Sequence, residues 1–85
     1  MQCLVIYDIP DDRARQRVAD ACLDYGLQRI QYSAFAGNLS RAHQRALFNE
    51  ITRRLKDRTA NVQLFVFDAK MWEERRVLEQ NYDNT

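Results

Sequence analysis

Residues 2–7 read QCLVIY, and the run Cys3, Leu4, Val5, Ile6, Tyr7 is apolar at odd and even positions alike. Successive side chains of a strand point to opposite faces, so this run predicts a strand buried on both sides. Asp8 and Pro10 end it. A counterpart lies far along the chain, where residues 61–67 read NVQLFVF, with Val62, Leu64 and Val66 on one face and Phe65 and Phe67 on the other. Between them, Asp11 or Asp12 caps a helix to about Tyr25, with an apolar stripe of Ala14, Val18, Ala21, Cys22 and Tyr25 and Gly26 as its stop. Residues 27–39, LQRIQYSAFAGNL, read as extended, either one bent strand or two short ones reversing near Tyr32 and Ser33. Ser40 opens a second helix to about Lys56, striped by Leu47, Phe48, Ile51 and Leu55. A short helical turn and a final strand around Arg76–Glu79 are expected to follow.

This order, βα(ββ)αβ plus a tail, shows no repeat, linker or low-complexity segment. It predicts an α/β (α+β) class protein, a ferredoxin-like βαββαβ sandwich with an antiparallel sheet and both helices on one face. The expected organisation is a single domain over 1–85, with a core at 1–68 and a tail at 69–85 that carries a short extra strand able to exchange between protomers. Two helices cover only one face of a sheet whose strands are apolar on both, so the second face predicts a sheet-to-sheet homodimer.

Composition agrees with a folded chain. At 46% apolar and 29% charged residues the sequence is too hydrophobic for disorder, and 85 residues leave no room for separate cofactor and substrate domains. Cys3 and Cys22 fall within apolar patterns and read as reduced, buried thiols. No signal peptide or membrane span is visible, so a cytoplasmic location and no membrane partner are expected.

A net charge of +1 excludes a polycation held to nucleic acid by bulk charge. The charge is nevertheless sorted: residues 1–28 carry −2, residues 29–58 carry +5 and residues 59–85 carry −2. Eleven of the thirteen basic residues are Arg, whose planar fork grips phosphates bidentately. Arg13, Arg15 and Arg17 sit in the first turns of the first helix, where the helix dipole disfavours cations; phosphate recognition and pairing with Asp11, Asp12 and Asp20 are the two explanations. On the second helix Arg41, Arg45, Arg53 and Lys56 share an arc of roughly 120° away from the apolar stripe, a face suited to a nucleic-acid backbone or to plain solvation.

The segment Asp8-Ile9-Pro10-Asp11-Asp12 places three carboxylates at a strand-to-helix junction. Hard divalent cations take such oxygen donors, but Asp11 and Asp12 equally suit helix capping. Asp8 directly follows a buried strand, where a carboxylate needs compensation; if a two-fold axis passes nearby, two copies of Asp8 can share one ion. Arg29, Gln31, Ser33 and Phe35 alternate along one pleat face. His43 reads as solvent-facing, and Trp72 and Tyr82 as tail packing. No Walker loop, dinucleotide glycine pattern, HExxH, zinc-type spacing or G-x-S-x-G is present, which argues against those enzyme classes.

The blocks YDIPDDRARQRVA, YGLQRIQYSAFAGNLS and NVQLFVF together resemble the CRISPR-associated protein Cas2 family over residues 1–68. The resemblance implies a ferredoxin-like homodimer, a Mg²⁺ (or Mn²⁺)-dependent endonuclease activity on single-stranded RNA or on DNA, and a role in spacer acquisition as a hub that binds duplex DNA and bridges the Cas1 integrase. It assigns Asp8 to the metal, Arg15 and Arg17 to the basic pair of the first helix, and Arg29, Ser33 and Phe35 to the block associated with catalysis or with shaping the cleft. Ala34 stands where the family often has Val, and Glu79 where it usually has Gly. The alternative reading is a stand-alone ribonuclease toxin of related form; an adjacent integrase gene and repeat array, rather than an antitoxin gene, discriminates the two.

Overall fold

The computed structural model describes residues 1–82. Along the chain run β1 (Gln2–Asp8), α1 (Asp12–Asp24), β2 (Gln28–Gln31), β3 (Ala34–Asn38), α2 (Arg41–Leu55), β4 (Asn61–Phe67) and the short α3 (Ala69–Glu73). The strands form one antiparallel sheet in the order β2-β3-β1-β4, the ferredoxin-like arrangement.

Of the two doubly apolar strands, β1 takes a central position, paired on both sides, whereas β4 takes the edge beside it and leaves Phe65 and Val66 exposed. Cys3, Val5 and Tyr7 of β1 point to the helices and join Ala14, Val18, Cys22, Leu47, Ile51 and Phe35 in the core. The helix starts are capped by side chains: Asp11 accepts from the Ala14 N–H at 2.8 Å and Ser40 from the His43 N–H at 3.1 Å. Each such cap contributes about 1 kcal/mol. α1 ends in a Schellman-type turn, in which the Leu27 N–H donates to the Cys22 carbonyl and the Gly26 N–H to that of Leu23; Gly26 holds φ +84°, open to glycine without strain. Gly37 answers a different need, since a Cβ there would stand 2.8 Å from Leu27 Cδ2. Cys3 and Cys22 are both free and buried, and burial pushes the Cys22 thiol up to about 12, far from a reactive thiolate.

Three expectations are corrected. The extended segment 27–39 resolves into two strands around a turn at Tyr32 and Ser33, and a bulge between Arg29 and Gln31 shifts the pleat. Arg29 pairs with Phe35 on the helix side, whereas Gln31 pairs with Ala34 on the opposite side, so the four alternating residues do not share one face. Phe48 does not join the core: it stays 39% exposed, because α2 turns only Leu47 and Ile51 fully inward. Within the single chain no strand forms at Arg76–Glu79: Val77 and Leu78 lie exposed beside the sheet and pair with none of its strands.

The second face of the sheet carries Leu4 and Ile6 of β1, Ala34 and Ala36 of β3, and Gln63, Phe65 and Phe67 of β4. No helix of the α1–α2 layer covers it. α3 turns the chain over one end of this face, with Trp72 6.1 Å from Phe67, and leaves Phe65 40% exposed.

Candidate functional site

The antiparallel register fixes which residues meet at which end of the sheet. Asp8 lies opposite Asn61, beside the turn at Tyr32 and Ser33, where the Tyr7 N–H donates to the Ser33 carbonyl at 3.0 Å. The start of α1 and the end of α2 reach the same end, tied by Arg58 to Asp11 at 3.2 Å. Asp8, Arg13, Arg15, Ser33 and Lys56 therefore belong to one end. Arg41 and Arg45 belong to the other, where Leu39 exchanges backbone hydrogen bonds with Met1. They line a groove with Phe48 and Leu64.

The three acids near residue 10 separate into distinct tasks. Asp11 caps α1 and pairs with Arg58, and Asp12 pairs with Arg15. Asp8 is exposed, on the open-face side of β1, and joins no ion pair among the described residues. No three acidic, His or Cys side chains converge among the described residues, so the segment does not act as a three-carboxylate cage within one chain.

The arginines divide likewise. Arg15 is held in place: its guanidinium donates to the Ile9 carbonyl at 3.0 Å, pairs with Asp12, and lies 5.6 Å from the Tyr32 ring centre. Arg13 and Arg17 are exposed, and neither joins an ion pair among the described residues. Arg53 is paired with Glu50. Arg54, which the sequence reading left out, ties the helices together, donating to Glu50 at 2.6 Å, to Asp24 at 3.1 Å and to the Arg17 carbonyl at 3.3 Å.

Arg29 crosses the Phe35 ring at 5.0 Å, and Phe35 in turn stacks on Tyr7 at 6.3 Å. Phe35 is fully buried, so it reaches the surface only through the guanidinium it supports. The Tyr7 hydroxyl is buried without a hydrogen-bond partner among the described residues. Burial pushes its pKa up, while the nearby Arg29 charge pulls it back. Arg15, Arg29, Tyr32, Asp12 and Gln16 line a cleft of about 180 Å³ between α1 and β2.

Residues 1–75 match the family described as CRISPR associated protein Cas2. The chain belongs to that family. It is 84% identical over 84 residues, 99% of each chain, to a Chloroflexus aurantiacus protein named CRISPR-associated endoribonuclease Cas2 2. The crystal structure of Streptococcus pyogenes Cas2 shares the fold, with a TM-score of 0.78 at 24% identity over 93% of this chain and 100% of that one. A Thermoproteus tenax protein named as a CRISPR-associated endonuclease Cas1/endonuclease Cas2 fusion is 36% identical over 70 residues, covering 82% of this chain and 26% of that protein. No helix among the described residues of this Cas2-family chain is long and apolar enough to cross a membrane.

Two aromatic side chains at the Asp8 end take places that the sequence did not show. Tyr32 looked like a turn residue and emerges 70% exposed against Arg15. Tyr7 looked like a core aromatic, and its unpartnered hydroxyl becomes visible only once the β1–β3 register sets it beside Phe35.

Proposed function

We propose that the chain acts as a homodimer in CRISPR adaptation and that Asp8 is the metal-binding carboxylate of a phosphodiester-cleaving site completed by the second copy. The observation that carries this reading is the position of Asp8: an exposed carboxylate outside the ion pairs, at the rim of an apolar sheet face that the α1–α2 layer leaves uncovered and α3 covers only at one end. A second copy seated on that face covers Phe65, Leu4 and Ile6 and doubles every group on the rim.

A lone hard oxygen donor fits Mg²⁺ or Mn²⁺, which take one or two carboxylates and keep the rest of their shell for water and phosphate. Two Asp8 side chains, one from each copy, would hold the ion. When bound, the ion supplies Lewis-acid neutralisation of charge developing on the phosphoryl oxygens. The chain's own residues do the rest. Arg15, already fixed by the Ile9 carbonyl and Asp12, offers a preorganised guanidinium for phosphate, and Arg13 and Arg17 extend the basic track along α1. Arg29 stands on Phe35 as a second phosphate ligand, and the Ser33 turn braces the end of β1. The substrate is a single-stranded RNA or a DNA. An Asp8→Asn variant is expected to stay dimeric, keep binding and lose Mg²⁺-dependent cleavage. Cleavage at the wild-type rate, unaffected by EDTA, overturns the assignment.

A second role rests on a separate observation. Arg41 and Arg45 lie at the far end of the sheet from Asp8, so a basic groove exists that the cleavage site does not use. It suits sequence-independent contact with a duplex backbone, as a spacer-acquisition hub needs, with Arg53 and Lys56 further along α2. The fused relative supports a Cas1 integrase as the bridged partner. Neutralising Arg41 and Arg45 should weaken duplex binding and spacer integration while Asp8→Asn leaves integration intact; the reverse pattern refutes the hub reading.

A further inference from the structure

The exposed aromatic at the β2–β3 turn has no part in the fold's core. Large aromatics are normally buried for their area, yet Tyr32 is 70% exposed at a turn tip, where Asn, Gly or Asp would serve the backbone better. Arg15 stands over its ring at 5.6 Å and is itself fixed by the Ile9 carbonyl and by Asp12. That contact orients the ring and occupies one side of it, and the exposure shows that the rest is open to solvent. Beside it, the cleft of about 180 Å³ carries the Arg29 guanidinium on its wall, with no carboxylate partner among the described residues. An oriented, open aromatic face next to a guanidinium that stands on Phe35 without a carboxylate partner matches one repeat of a nucleic-acid strand, a base followed by its phosphate.

We propose that Tyr32 is a stacking platform for an unpaired nucleobase, with Arg29 taking the adjacent phosphate, so that this corner selects single-stranded over duplex nucleic acid. Bases within a duplex are already stacked on both sides and cannot offer a face to the ring; a single strand can. The inference rests on the nucleic-acid reading above and adds to it the residue that distinguishes strand state. Arg15 stiffens the platform: its guanidinium keeps the ring in one orientation, which lowers the ordering cost of stacking.

The test compares wild type, Tyr32→Phe and Tyr32→Ala by fluorescence anisotropy on a labelled twelve-nucleotide single-stranded RNA and on a duplex DNA. Loss of one base–aromatic stack is expected to weaken single-strand binding roughly 5- to 100-fold in Tyr32→Ala, with Tyr32→Phe close to wild type and duplex binding unchanged in both. Circular dichroism establishes that the exposed substitution leaves the fold intact. A Tyr32→Trp variant gives a second readout: its added emission should be quenched by the single strand and not by the duplex, against the wild-type baseline of Trp72, the chain's one tryptophan. Equal loss on both substrates, or no loss in Tyr32→Ala with no quenching in Tyr32→Trp, refutes the platform. If wild type binds duplex but not the single strand, the platform fails and the hub reading stands; if it binds neither, both fail.

Discussion

Phe65→Ala is the sharpest perturbation of the uncovered sheet face. Phe65 pairs with Leu4 across β1 and β4 and is 40% exposed in the single chain. A Phe side chain presents about 200 Å², so about 80 Å² remains for a second copy to cover. At about 25 cal/mol per Å² this is about 2 kcal/mol per protomer. A two-fold interface counts the residue twice, giving about 4 kcal/mol for the dimer. Alanine keeps its Cβ and recovers a little of that, so the dimer dissociation constant should rise roughly 100- to 1,000-fold, each 1.4 kcal/mol being a factor of ten. Sedimentation equilibrium over a concentration series measures it directly. Leu23→Ala is the matched control: Leu23 is 54% exposed on α1, in the helix layer, and its truncation should leave the dimer constant unchanged. A wild-type protein that sediments as a monomer at tens of micromolar, or a Phe65→Ala constant equal to wild type, refutes the argument.

Replacing Arg41 and Arg45 with Gln should lower the slope of log K against log salt for duplex DNA by about 2, about 0.9 for each released counterion, as a titration from 50 to 200 mM salt would show. Glu50, which Arg53 and Arg54 hold down to about 2 from the ordinary 4.5, contributes stability that is complete above the ordinary value and lost as pH falls toward 2. The melting-temperature deficit of Glu50→Gln should therefore be constant above about pH 5 and shrink steadily in acid. Lys56 holds φ 54° with ψ −119°, a region that glycine occupies without strain, so Lys56→Gly should raise stability by about 1 kcal/mol in a urea titration.

The antiparallel sheet was legible because β1 and β4 are apolar on both pleat faces, although that shared pattern leaves β1 central and β4 at the edge; the helix ends were legible because Asp11 and Ser40 cap them with side chains and Gly26 takes the positive φ of the α1 stop. The tail was not legible. Val77 and Leu78 have strand-like composition, but a strand depends on a partner's backbone, which no local pattern specifies. The placement of the candidate side chains was readable at Asp8, which ends a buried strand, and at Arg13, Arg15 and Arg17, which open α1. It was misread between Arg29 and Gln31, because a bulge of one residue reverses every later side chain while leaving the composition of the strand unchanged. The role of Arg54 in tying the helices together was passed over because its partners on α1, Asp24 and the Arg17 carbonyl, are 30 and 37 residues away in sequence, and only Glu50 is near.

If Asp8 forms its metal site only where two copies meet, the stoichiometry of bound Mn²⁺ reveals it, counted by the loss of the free ion's electron paramagnetic resonance signal. One ion per two chains is expected in wild type and none in Asp8→Asn, with binding by Phe65→Ala lost at concentrations where that variant is monomeric. One ion per chain, or Mn²⁺ held undiminished by the monomeric variant, would contradict it.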